Sequence, residues 1–156
     1  MTVTEPRDGV PSEVGQPKLS LAEVQQLLAD FMPEAGLRVV EVSAQRVVVT
    51  ALPEWLERRP GGTLSGPAIF KAVDLSAFLA VNAYAGKVLT GVLTQGSINL
   101  LETAEPGPLE IVLEVAKLGR RMAVVTAQVF DADGLLTAVS TMQFALPSRP
   151  ARAVAG

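Results

Sequence analysis

The chain predicts an α+β fold in which one antiparallel sheet curves around a single long buried helix. Three observations predict it. The stretch from Pro67 to Tyr84 is apolar nearly all round and stops at Gly86, as a core helix does. Four strand-like runs follow it with no further helix between them. Tight-turn residues separate those runs, so sequence neighbours are expected to pair antiparallel.

The elements read in order. Met1 to Pro17 lacks the apolar core of a signal peptide and reads as a disordered tail, leaving 18–147 as one domain and 148–156 as a second tail. Ser20-Leu21-Ala22-Glu23 is a capping box: the Ser20 hydroxyl caps a helix and Glu23 reaches back. Leu21, Val24, Leu28 and Phe31 follow at helical spacing, and Pro33 and Gly36 end the helix. Leu37 to Val42 and Arg46 to Leu52 are β-branched runs around Ser43-Ala44-Gln45, which predicts a hairpin. Pro53 to Gly62 is a loop holding the only tryptophan, Trp55. The core helix begins near Pro67, where a missing N–H costs nothing. The later runs are Val88 to Leu101, Leu109 to Leu118, Arg121 to Asp131 and Leu135 to Leu146.

Composition removes whole classes of function. At 156 residues one domain is expected, and 49% hydrophobic residues supply a substantial core. The net charge is −3 and no long Lys/Arg run occurs, so no nucleic-acid partner is expected. No stretch is expected to reach the apolar length that spans a bilayer, so no membrane partner is expected and a soluble cytoplasmic protein is the default. There is no cysteine, hence no disulfide, thiolate nucleophile or cysteine metal site. There is no histidine, which removes imidazole acid–base chemistry and histidine metal ligation. An enzyme built on this chain works with carboxylates, hydroxyls, Lys, Arg, Tyr and backbone dipoles.

The segment Gly61-Gly62-Thr63-Leu64-Ser65-Gly66-Pro67 feeds directly into the core helix. Its last residues present free backbone N–H groups at a helix start, which favour negative charge. One carboxylate, Asp74, follows on the otherwise apolar helix. A desolvated carboxylate is costly unless paired or employed. Read alone, Asp74 is explained by an ion pair with Lys71 one turn earlier. Its company with the glycine turn favours attack on a carbonyl instead.

From Leu19 to Pro147 the chain resembles the hot-dog fold acyl-CoA thioesterases, in particular the PaaI-like (phenylacetate-pathway type) branch. The resemblance rests on Gly62-Thr63-Leu64-Ser65-Gly66-Pro67 with Asp74 eight residues after Gly66. Ser97-Ile98-Asn99-Leu100, Gly119-Arg120-Arg121 and Asp131-Ala132-Asp133-Gly134 support it in order and spacing. It implies hydrolysis of an acyl-CoA thioester to free acid and CoA, with CoA as part of the substrate and no metal or separate cofactor. Gly66 would donate its N–H to the thioester carbonyl, and Asp74 would act as nucleophile or as general base. Ser65 stands where the family has histidine and would supply a weaker polar contact. Pro67 replaces a glycine. Thr94 would orient water from the third strand. Arg120, Arg121 and Lys117 would meet the CoA phosphates, with Arg58 and Arg59 as alternatives; Arg59 stands where relatives place Asn or Gln.

Geometry adds a constraint of its own. Eight helical residues separate Gly66 from Asp74 by about 12 Å along the axis. One carbonyl cannot touch both. The two serve one substrate only if two chains meet with antiparallel helices, which predicts a homodimer with shared sites; the family pattern extends this to a dimer of dimers. The competing readings are a non-catalytic acyl-CoA or acyl-carrier binding module and, ranked lower for want of histidine, a hydratase or dehydratase.

Overall fold

A computed structural model of the chain describes residues 14–147. Both expected tails fall largely outside the described residues. The order is α1 (Leu21–Phe31), β1 (Leu37–Val42), β2 (Val47–Ala51), a short 3-10 turn (Pro53–Trp55), α2 (Gly66–Ala85), β3 (Val92–Leu100), β4 (Leu109–Leu118), β5 (Met122–Phe130) and β6 (Leu136–Ala145).

The six strands form one antiparallel sheet in the order β1-β2-β4-β5-β6-β3. Alternation along β5 buries Ala123, Val125, Ala127 and Val129 and exposes Thr126 and Gln128, so one sheet face is covered. What covers it is α2. Alanines 68, 72, 77, 80 and 83 let the helix lie close to the strands, while Ile69, Val73 and Leu79 fill the gaps. Ser65 caps the start of α2, and Gly86 ends it in the left-handed conformation at φ 82°. This is the hot-dog arrangement, a sheet wrapped around a central helix.

Four details depart from expectation. First, β3 does not pair with its sequence neighbour β4. It crosses to the far edge beside β6, and β4 enters between β2 and β5. The Pro106-Gly107-Pro108 segment is therefore a crossover and not a hairpin turn. Second, β3 starts at Val92, because Val88 to Gly91 closes a turn through the Gly91 N–H to Val88 carbonyl bond (3.0 Å). Third, the buried face of α1 is Val24, Leu27 and Leu28; Leu21 and Phe31 lie in the end turns and stay exposed. Fourth, α2 is long and apolar enough, at 20 residues, to match a membrane span by length and composition. It is apolar all round because the sheet wraps it, with 72% of the stretch buried inside the fold.

Candidate active site at the start and middle of the central helix

The loop before α2 is built to deliver a helix start. Gly61 and Gly62 have φ of 102° and 92°, a backbone region that side chains strain, and so turn the chain tightly. The turn is closed by bonds from the Arg59 N–H to the Thr63 carbonyl (2.8 Å) and from the Gly62 N–H to the Arg59 carbonyl (2.9 Å). The Leu64 N–H then bonds the Ala104 carbonyl (2.8 Å), and the Ser65 N–H bonds the Glu57 carbonyl (2.9 Å). Anchored on both sides, Ser65 accepts a bond from the Ala68 N–H at 3.1 Å. Its oxygen is thus engaged as the helix cap, a role its place before Gly66-Pro67 already signals.

Gly66 is the first residue of α2, and its N–H meets no acceptor among the described residues. A Cβ there would sit 3.1 Å from Leu100 Cδ1, so the backbone lies close against the end of β3. A cavity of about 480 Å³ opens at this point, lined by Gly66, Arg59, Thr63, Ile69, Leu100 and Glu102 among others. The Thr63 hydroxyl beside it is buried without a partner. Sequence carries no signal for that orphan, because it arises from packing.

Asp74 lies farther along α2 and does not line this cavity. It is half-buried on the one partly open stripe of the helix, with Phe70 one turn before it and Phe78 one turn after. The ion pair with Lys71 does not form: among the described residues the only salt bridge joins Arg46 to Glu41. Lys71 instead sets its ammonium over the Trp55 ring, 5.0 Å from the centroid. Left without a cation, Asp74 has its carboxyl pushed above the ordinary value by burial.

The other expected residues divide between places. Arg59 shares the cavity with Gly66. Arg120 and Arg121, at the β4–β5 tip, line a larger cavity of about 780 Å³ at the opposite end of α2, together with Lys18, Tyr84, Val88 and Leu118. Lys18 was not legible as a member of that group; it arrives because the Lys18 and Leu19 N–H groups both bond the Ala83 carbonyl (2.8 and 3.0 Å). Lys117 is exposed on β4 and lines neither cavity. Thr94 is exposed on β3; its hydroxyl donates to the Gln143 carbonyl (3.2 Å) and accepts from Gln143 Nε2 (3.4 Å). Among the described residues no cluster of three acidic side chains gathers as a metal site requires.

Comparison with known proteins gives consistent results. A family model described as the thioesterase superfamily matches residues 61–138. A Saccharolobus solfataricus protein provisionally described as an esterase is 35% identical over 80 residues, covering 51% of this chain and 53% of the relative. The match thus spans about half of that relative's length. A structure from a Silicibacter species, provisionally described as a thioesterase, superimposes with a TM-score of 0.77 at 23% identity, over 86% of this chain and 96% of its own. Zebra fish thioesterase superfamily member 2 does so with a TM-score of 0.71 at 23% identity, over 83% and 99%. A hypothetical thioesterase protein from Streptococcus pneumoniae, solved with coenzyme A, gives 0.65 at 23% identity, over 76% and 95%. These structures share the fold.

Proposed function

We infer the reaction from one premise: the chain belongs to the thioesterase superfamily. On that premise we propose that it hydrolyses acyl-CoA thioesters, releasing the free acid and CoA. The observation that carries the reading is the contrast between two ends of one helix segment. A free N–H opens α2 at Gly66, and an unpaired, desolvated carboxylate stands eight residues later at Asp74.

The thioester carbonyl oxygen would accept the Gly66 N–H, which the helix start makes more favourable for an oxyanion. Asp74 of the second subunit would take a proton from water, or attack the carbonyl carbon itself to give an anhydride that water then cleaves. In either route the carbonyl carbon gains an oxygen, the carbon–sulfur bond breaks, and the CoA thiolate leaves and takes up a proton. Ser65 holds the helix start in place. Thr94, whose hydroxyl proton is already donated, would offer only an acceptor to water.

The open edge at β3 supports the pairing of two chains that this assignment needs. β3 is an open edge of the sheet, and Val92 and Leu100 on it are 61% and 51% exposed. A second β3 laid antiparallel along it would bring the two α2 helices together. For the nucleotide end of CoA, the Arg120–Arg121 cavity with Lys18 and the Arg59 cavity are the two phosphate-binding candidates, since guanidinium forks suit phosphate. Placement in the PaaI-like branch, assembly of pairs into a tetramer and a cytoplasmic location complete the proposal.

The test is CoA release from short, medium and aryl acyl-CoA thioesters, comparing wild type with Asp74→Asn. Turnover that collapses in the variant supports the reading. Equal turnover removes Asp74 from the mechanism. Binding of acyl-CoA without turnover in either protein favours the non-catalytic module.

A further inference from the structure

Phe70 stands midway between Gly66 and Asp74 on α2, four residues from each. In the paired arrangement proposed above, Gly66 of each chain faces Asp74 of the other. A two-fold axis that exchanges these residues must pass the helix at its midpoint, which is Phe70. A second observation locates the axis without using the chemistry. The open edge strand β3 runs from Val92 to Leu100, and its middle residue is Gly96. Two copies of a strand paired antiparallel over their full length place the axis at that middle residue.

The fold puts these two residues in contact. A Cβ on Gly96 would meet the Phe70 ring at 3.1 and 3.3 Å, and Met142 Sδ at 2.8 Å. Only a glycine lets the ring lie this close to the strand. The helix midpoint and the strand midpoint therefore agree on one axis. The ring is half-buried in a single chain, packed against the core but not enclosed by it.

We propose that the Phe70 rings of two subunits meet on the axis and form the wall that closes the inner end of both acyl sites, making Phe70 the residue that limits acyl length. This rests on the thioesterase reading for its substrate, though the position of the axis does not. Each ring lies close against the Gly96 backbone, which resists its retreat into its own subunit to admit a longer chain. Helices packed 8–10 Å apart leave room for little besides facing side chains. Shortening Phe70 joins the two sites; adding a methyl at Gly96 presses the ring forward.

Two experiments test this together. The first measures kcat/KM over a series of acyl lengths. Phe70→Ala is expected to raise the ratio of long to short substrates by about tenfold or more, the scale of a methylene or two in an apolar pocket. Gly96→Ala is expected to move it the other way. Phe70→Leu serves if the alanine variant fails to fold. The second uses the absence of cysteine from this chain. Phe70→Cys introduces the sole thiol, and a short bis-maleimide should join two chains through it. Phe78→Cys is the control: eight residues farther, it lies ~24 Å from its counterpart along the paired helices and should not be joined. Crosslinking at 70 but not 78, with a shifted acyl profile, supports the proposal. An active enzyme whose profile ignores Phe70→Ala and Phe70→Leu overturns the acyl limit, and failure to crosslink at 70 overturns the axis. A wild type without turnover that crosslinks at 70 overturns the hydrolase reading and the acyl limit, and keeps the axis.

Discussion

The Lys71 ammonium sits 5.0 Å over the ring of Trp55, one helical turn from Asp74 and engaged elsewhere. Proximity in sequence favours an i,i+3 ion pair, but the loop delivers an aromatic face that takes the cation. This leaves Asp74 with burial and no compensating charge. A double-mutant cycle on Lys71→Gln and Trp55→Leu should give a coupling of roughly 0.5–1 kcal/mol in urea unfolding. The same cycle on Lys71→Gln and Asp74→Asn should give a value near zero. A large Lys71–Asp74 coupling would contradict the geometry.

Asp74 makes two linked predictions. Burial raises its carboxyl pKa above the ordinary 3.8, so the folded chain holds that proton more tightly than the unfolded chain does. Its stabilising contribution is complete below pH 3.8 and is lost as pH rises through the raised folded value. Asp74→Asn should therefore raise the melting temperature at pH 7, with the gain vanishing at low pH. If Asp74 serves as base, the acid limb of the kcat/KM profile should lie above the usual aspartate range and vanish in the variant, with kcat falling by roughly 10²–10⁴.

Gly66 separates a donor from a side chain. Gly66→Pro keeps a residue suited to the first turn but removes the N–H, and kcat should fall about 10²–10³-fold. Gly66→Ala keeps the N–H and only presses on Leu100 Cδ1, so its kcat should stay closer to wild type. Kinetics of the two variants, after circular dichroism shows both folded, decide the matter. Equal kcat values would exclude the backbone donor.

Ser65 is predicted to act through the helix. Ser65→Ala removes the bond to the Ala68 N–H and should cost about 1 kcal/mol in equilibrium unfolding. Ser65→Asp restores a cap and should recover that stability. It also places a negative charge beside the oxyanion position proposed at Gly66, so turnover should fall while the fold is kept. Recovery of both together would show the serine acting only as a cap.

Local signals account for what the sequence made legible. The bounds of α2 follow from Ser65-Gly66-Pro67 at one end and Gly86 at the other, and the capping box of α1 appears as read. The separation of Gly66 from Asp74 needed only the helical rise. What escaped depends on partners distant in sequence. β3 and β6 find each other across two intervening strands, through pairs such as Gly96 with Met142, and no turn motif announces that. Periodicity alone could not decide whether Leu21 and Phe31, in the end turns of α1, belonged to the buried face. Lys18, Arg120 and Arg121 converge only after the N-terminal approach docks on Ala83.

The two borders of the sheet are unequal. At β1 the ladder slips between Val39 and Glu41, Gln25 of α1 accepts the Val39 N–H at 2.9 Å, and Glu41 is tied to Arg46. Irregularity, a side-chain plug and charge are the features that deter a further strand. The β3 ladder slips once too, between Leu93 and Gln95, but this border carries no side-chain plug among the described residues and has apolar residues at both ends and a glycine at its centre. A body extended from one border only would have a valence of one, and strand addition between such bodies would stop at two. If β3 takes a second copy as proposed, the same asymmetry denies the pair a route to fibres.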